Sequence, residues 1–166
     1  MPAKLASANP VSAIQNPKFA IHIDSLWVAV RPPDPIIPFV AKRILIVEDT
    51  KSIREIVAFM LRSKGYETIE SGDGQDAEAK VRAEPPDLIV LDAMLPKKTG
   101  FDVCQTLKAD EKYKKIPILM LTAITRDTGK SDEYWKEKSQ ADDFMSKPFK
   151  ATELVERIER LLKSIG

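Results

Sequence analysis

The chain has 166 residues, room for one domain of ordinary size at roughly 100 to 200 residues per domain, and its 43% hydrophobic and 31% charged residues place it with globular rather than disordered chains. With 26 Lys+Arg against 25 Asp+Glu the net charge is +1, which supplies no overall field to hold a nucleic acid backbone or an anionic membrane. A single cysteine, Cys104, and a single histidine exclude an internal disulfide and a Cys/His zinc site.

Composition changes near Ala41. Seven of the 12 prolines (Pro2, Pro10, Pro17, Pro32, Pro33, Pro35, Pro38) precede it, and none of the six glycines does. Each proline removes a backbone donor and biases its predecessor toward extended conformations, so residues 1–41 read as a proline-rich N-terminal extension, disordered or loosely docked. Within it Phe19, Ile21 and Ile23 alternate with polar or small residues and Leu26 to Val30 is apolar, a pattern open to a short hairpin or an edge strand. Natural translation starting near Val40 is the alternative for this segment.

From Lys42 onward short apolar runs alternate with amphipathic segments. Arg43 to Val47 reads as a buried strand, and Ile53, Ile56, Val57, Met60 and Leu61 then fall on one face of a helix that Gly65 ends. Glu67 to Ser71 reads as a second strand, and after a turn at Gly72 to Gly74 a helix from Gln75 to Ala83 is stopped by Pro85 and Pro86. Leu88 to Leu91 is the third strand, followed by a loop from Asp92 to Gly100 and a helix carrying Phe101, Cys104 and Leu107. Ile116 to Leu121 is the fourth strand, residues 127 to 139 include a helix, and Asp143 to Met145 is the fifth strand. The last helix carries Leu154, Ile158, Leu161, Leu162 and Ile165. Five strands alternating with five helices imply right-handed crossovers and an α/β fold, a doubly wound five-stranded parallel sheet covered on both faces. No run of about 18 apolar residues marks a membrane span and no apolar h-region follows Lys4, so a cytoplasmic protein is expected.

Ligands of such sheets gather outside the carboxyl ends of the strands. Strand one ends in Glu48-Asp49, strand three in Asp92, strand four in Thr122-Ala123 and strand five in Ser146-Lys147-Pro148-Phe149. Three carboxylates brought together repel unless a cation shares the site. Oxygen donors without His or Cys select a hard ion, and few carboxylates with water suit Mg²⁺ better than Ca²⁺. Taken singly each residue has a plain structural reading, an acidic helix cap for the pair or a surface position for the lysine; only their joint placement at strand ends points to a site.

The set Glu48-Asp49, Leu91-Asp92-Ala93-Met94-Leu95-Pro96 with Gly100 behind it, Thr122-Ala123 and Lys147-Pro148-Phe149 resembles the receiver domain of two-component response regulators. Five short motifs in order, each at the end of its own strand, carry far more weight than any one of them. The resemblance covers residues 42–166 and implies a stand-alone, chemotaxis-regulator-like receiver with a flavodoxin-like strand order 2-1-3-4-5. It implies that Asp92 is the phosphoacceptor, phosphorylated by a sensor histidine kinase or a phosphotransfer protein, and that Asp92, Asp49 and the backbone carbonyl of Met94 ligate Mg²⁺, with Glu48 reaching it through water. Lys147 would pair with the phosphoryl group, aided by a cis bond before Pro148, and Thr122 would donate a hydrogen bond to it. Thr122 and Phe144 would form the switch pair, read by a downstream effector on the face of the fourth helix, fifth strand and fifth helix, where Tyr134 and Trp135 fall. Nothing beyond self-phosphorylation and self-dephosphorylation at Asp92 is expected of it as an enzyme.

Because only 19 residues follow Lys147, no output domain is expected, and the readout is expected to be protein contact, including a phosphorylation-dependent homodimer, with neither direct DNA binding nor membrane insertion. The polar stretch from Thr125 to Asp132 is expected to be an inert loop insertion. Met94 and Ile124, two residues after the phosphoacceptor and two after the threonine, are apolar and bulky and would screen the phosphoryl group from water. A phosphate-independent interaction module is the alternative, although Asp92, Lys147 and both acids are present. A Mg²⁺-dependent phosphohydrolase would typically place an acid where Met94 stands, and a dinucleotide site would need a G-x-G-x-x-G where Glu48-Asp49-Thr50 stand.

Overall fold

The apolar runs and amphipathic segments assemble as a parallel sheet with helices on both faces in a computed structural model that describes residues 20–23, 26–29, 41–123 and 139–164. The chain divides into two units, Met1–Phe39 and Val40–Gly166. In the first, β1 (Ala20–Ile23) and β2 (Leu26–Ala29) pair antiparallel with Ile23 opposite Leu26, the hairpin that the alternation there allowed. Residues around these strands lie outside those described.

The second unit runs β3 (Arg43–Val47), α1 (Lys51–Ser63), β4 (Glu67–Ser71), α2 (Gly74–Ala83), β5 (Leu88–Asp92), α3 (Gly100–Ala109), β6 (Ile118–Thr122), β7 (Asp143–Ser146) and α4 (Ala151–Lys163). Its five strands are all parallel in the order β4-β3-β5-β6-β7, which is 2-1-3-4-5 counted within the sheet. The helix expected at 127–139 falls almost wholly outside the described residues, as do Ile124, Tyr134, Trp135, Ile165 and the loop expected at 125–132.

Alternate residues of a strand face opposite ways, and the core divides accordingly. Leu45, Val47, Leu91 and Met120 pack with Val81, Val103 and Leu107 under α2 and α3. Ile44, Ile46, Val90 and Leu121 pack with Val57, Leu61, Leu154 and Ile158 under α1 and α4. Strands buried on both faces explain why their sequences read as continuous apolar runs. Asp73 and Thr99 cap α2 and α3, accepting from the amides of Asp76 (2.8 Å) and Asp102 (3.2 Å), and Gly65 leaves α1 at φ +86°, with its amide on the Arg62 carbonyl.

Two details depart from the sequence pattern. On α1, Ile56 and Phe59 are 60% and 73% exposed and Ile53 is 37% exposed. The helix seats on the sheet through Val57, Ala58 and Leu61 instead, and the small side chain of Ala58 is part of that contact face. β6 begins at Ile118 rather than Ile116, because the Ile116 amide closes a turn on the Tyr113 carbonyl and Pro117 has no amide for a ladder. At this end of the sheet the Lys108 ammonium donates to the carbonyls of Lys114 (3.2 Å) and Ile116 (3.0 Å) and to Asp142 Oδ2 (2.5 Å). The same Asp142 oxygen accepts from the Ile118 amide at 2.8 Å, tying α3 to the starts of β6 and β7. Among the described residues no helix is long and apolar enough to cross a membrane.

Candidate functional site

Strand order reverses between β3 and β5, and the carboxyl ends of these strands therefore flank the crevice that parallel sheets use for ligands. Glu48 and Asp49 follow β3, Asp92 closes β5, Thr122 closes β6 and Lys147 follows β7. Glu48 and Asp92 are 3% and 6% exposed, whereas Asp49 faces solvent. One carboxylate oxygen from each of the three acids lies within 4.8 Å of the others.

The Lys147 ammonium bridges the two buried acids, donating to Glu48 Oε2 and Asp92 Oδ2 at 2.6 Å each. Their remaining oxygens accept backbone amides, Glu48 Oε1 from Thr50 at 3.2 Å and Asp92 Oδ1 from Met94 at 3.1 Å. Burial pushes the Glu48 carboxyl above the usual carboxylate range; its hydrogen bond from Lys147 opposes this, and the Asp92 charge adds to it. For Lys147 burial alone would favour the neutral amine, but its hydrogen bonds to Asp92 and Glu48 outweigh that and hold it above the usual lysine value. The ammonium is therefore charged at neutral pH.

Backbone contacts fix these side chains in place. The Lys147 amide donates to the Thr122 carbonyl at 2.6 Å, and the Lys147–Pro148 bond is cis. The Gly100 amide returns to the Ala93 carbonyl at 3.0 Å, and a Cβ on Gly100 would strike the carbonyl oxygen of Asp92 itself. Arg54 on α1 donates to the Glu48 carbonyl at 2.6 Å and pairs with Glu70 at 3.5 Å. No sequence pattern marks Arg54, because its partner in the site is a backbone atom.

Thr122 is fully buried, and Phe144, three residues before Lys147, is 1% exposed and packed in the core beside Met120 on the neighbouring strand. Arg157 of α4 donates to the Phe144 carbonyl at 3.0 Å and to Asp143 at 3.1 Å, joining the last helix to the strand that carries Phe144. Met94 is 59% exposed at the rim, and a cleft lined by Ile53, Ala123, Lys147, Pro148 and Phe149 opens beside the lysine. Cys104 takes no part: it is buried, and burial pushes its thiol up to about 12.

Among the described residues this cluster consists of three carboxylates without His or Cys, a set that fits a hard divalent cation such as Mg²⁺. A carboxylate at such an ion, with an ammonium 2.6 Å away, has what is required of an oxygen nucleophile toward a phosphoryl group.

Comparison with known proteins points the same way. Residues 44–159 match the response regulator receiver domain. The DNA-binding response regulator MtrA of Mycolicibacterium smegmatis is 45% identical over 122 residues, covering 74% of this chain and 51% of MtrA. The DNA-binding dual master transcriptional regulator RpaA of Synechocystis is 41% identical over 121 residues, covering 73% of this chain and 49% of RpaA. The chain thus spans about half the length of the curated relatives it matches. Among solved structures, the chemotaxis response regulator CheY4 of Vibrio cholerae superposes with a TM-score of 0.65 at 31% identity, covering 73% of this chain and 98% of CheY4. The receiver domain of the sensor histidine kinase PA1611 of Pseudomonas aeruginosa, with a magnesium ion coordinated in its active site cleft, gives a TM-score of 0.67 at 29% identity over 74% of this chain and 98% of that one.

Proposed function

Since this chain belongs to the response regulator receiver domain family, we propose that it accepts a phosphoryl group on Asp92 from a histidine kinase or phosphotransfer protein in the cytoplasm and signals through contact with another protein. The observation that carries the reading is the Lys147 ammonium held between Glu48 and Asp92 beside Asp49, at the sheet's switch point.

Asp49, Asp92 and the Met94 carbonyl would hold Mg²⁺, with Glu48 reaching it through water, and the ion supplies positive charge for the phosphoryl oxygens. An Asp92 oxygen attacks phosphorus, the bond from phosphorus to the donor nitrogen breaks, and an acyl phosphate forms on the carboxylate. Lys147 exchanges its bond to Asp92 Oδ2 for a phosphoryl oxygen, as a preorganised point charge. Thr122 donates to another phosphoryl oxygen, and its shift is coupled to Phe144 on β7. Arg157 gives α4 a direct hold on that strand, which favours a readout on the face of β7 and α4, including self-association there. The receiver is assigned to residues 42–166 and the extension to residues 1–41. With a net charge of +1, direct DNA binding is not part of this reading.

The test is binding of beryllofluoride, an acyl-phosphate mimic, followed by ¹⁹F NMR. Wild type should show a bound signal only with Mg²⁺ present, and Asp92→Asn none. Absence of a bound signal in wild type would turn the reading to a phosphate-independent interaction module. A second expectation concerns lifetime. Met94 and Ile124 should screen the acyl phosphate from in-line water, so the double variant Met94→Asn/Ile124→Gln should lose its phosphate about tenfold faster by mass spectrometry, a factor of about 1.4 kcal/mol in barrier height. An unchanged decay would refute the screening.

A further inference from the structure

The loop between Asp92 and Gly100 carries the amide that holds Asp92 Oδ1 and the carbonyl assigned to the metal, yet it has no regular structure of its own. Lys97 within it takes φ +66°, at the centre of a tight turn that the Lys98 amide closes on the Pro96 carbonyl at 2.7 Å. That turn and the bond from the Gly100 amide to the Ala93 carbonyl shape the loop from within, and side-chain contacts hold it against its neighbours.

Helices α2 and α3 supply those contacts. Lys98, 29% exposed, donates to Glu78 on α2 at 2.5 Å and to Thr106 Oγ1 on α3 at 2.9 Å. Lys97 reaches the α2 cap, donating to Asp73 at 2.6 Å. Gly74, the first residue of α2, lies so close to the loop that a Cβ there would strike the Lys98 carbonyl. Two ion pairs and a backbone contact thus press the loop onto α2, and the one of them that also engages α3 is Lys98.

We infer that Lys98 is a positioning residue for the divalent cation site, acting through the loop backbone: its bonds to Glu78 and Thr106 set where the Met94 amide and carbonyl stand relative to Asp92. This deepens the reading of the site as a Mg²⁺-dependent phosphoacceptor and rests on it. Charge alone predicts the opposite sign, because removing a cation from the neighbourhood of an acidic cluster favours Mg²⁺. Lys98→Met therefore separates the two influences.

Calorimetric titration of the full chain with Mg²⁺ alone tests this. Lys98→Met should raise the dissociation constant about fivefold, somewhat less than the loss of a side-chain partner to a metal ligand, and the charge-neutral Thr106→Val should raise it by about twofold. Unfolding midpoints measured with chelator guard against a fold defect; should Lys98→Met fail to fold, Thr106→Val carries the test alone. A dissociation constant unchanged or lowered in the folded variants would overturn the role of Lys98 while leaving the site intact. Wild type that binds no Mg²⁺ would sink the reading of the site and this inference with it.

Discussion

Lys147→Met is expected to slow phosphate uptake from acetyl phosphate by about 100-fold while tightening Mg²⁺ binding. The two effects part because the ammonium does two things. It stands 2.6 Å from both Glu48 and Asp92, so without metal it neutralises them and competes for them. Removing it frees these oxygens for a divalent cation and takes away the fixed charge that would meet the transferred group. Stability should move as well, since a buried acid pair that loses its cation is left with uncompensated charge. In chelator, the Glu48 carboxyl, already raised by burial, rises further once Lys147 is gone. A raised folded-state value means that the folded protein binds the proton more tightly than the unfolded chain. The deficit of the variant should therefore be smallest in acid, where Glu48 is protonated in both states, and should grow as pH rises toward neutrality. Denaturant titrations at acidic and neutral pH check this, and a deficit independent of pH would contradict it. Equal losses of Mg²⁺ affinity and phosphorylation rate would show that Lys147 acts only by supporting the fold.

Gly100→Ala is expected to cost about 3 kcal/mol, the upper end for overpacking, and to abolish most phosphorylation in whatever fraction folds. The added methyl would meet the carbonyl oxygen of Asp92, with the Asp92 carbonyl carbon and the Ala93 Cα both at 2.9 Å. These are backbone atoms at the end of a central strand and cannot swing aside as a side chain would. The relief has to come from moving Asp92 or the start of α3. Gly65→Ala is the matched control. Gly65 has open space around it and φ +86°, so its cost should be only the left-handed conformation, about 1 kcal/mol, with phosphorylation intact. Urea unfolding and uptake from acetyl phosphate measure both, and a Gly100→Ala protein as stable and active as Gly65→Ala would remove crowding as the reason for a glycine there.

Much of this arrangement is legible in the amino-acid sequence. The strand ends can be located because each buried run stops at a polar residue, and a parallel sheet carries those ends to one edge; Glu48, Asp49, Asp92 and Lys147 meet there for that reason. Periodicity fails on α1, where Ile53 and Ile56 share a helical face with Val57 and Leu61 but lie outside the contact with the sheet. An apolar count cannot tell which edge of an apolar face a helix rests on. Arg54 and Lys98 escape a sequence reading for a related reason. Their partners are the carbonyl of Glu48 for one, and a glutamate and a threonine on two other helices for the other, and no local spacing encodes such pairings. The crowding at Gly74 and Gly100 arises from tertiary approach and not from the turn conformation that a glycine usually signals.

Intact-mass spectrometry of the full chain, incubated with Mg²⁺ and acetyl phosphate, tests the phosphoacceptor directly. Wild type should gain a single phosphate, chelator should suppress it, and Asp92→Ala should gain none. An adduct that persists in Asp92→Ala, or a wild type that takes up no phosphate in the presence of Mg²⁺, would contradict the assignment of Asp92 as the residue through which this receiver works.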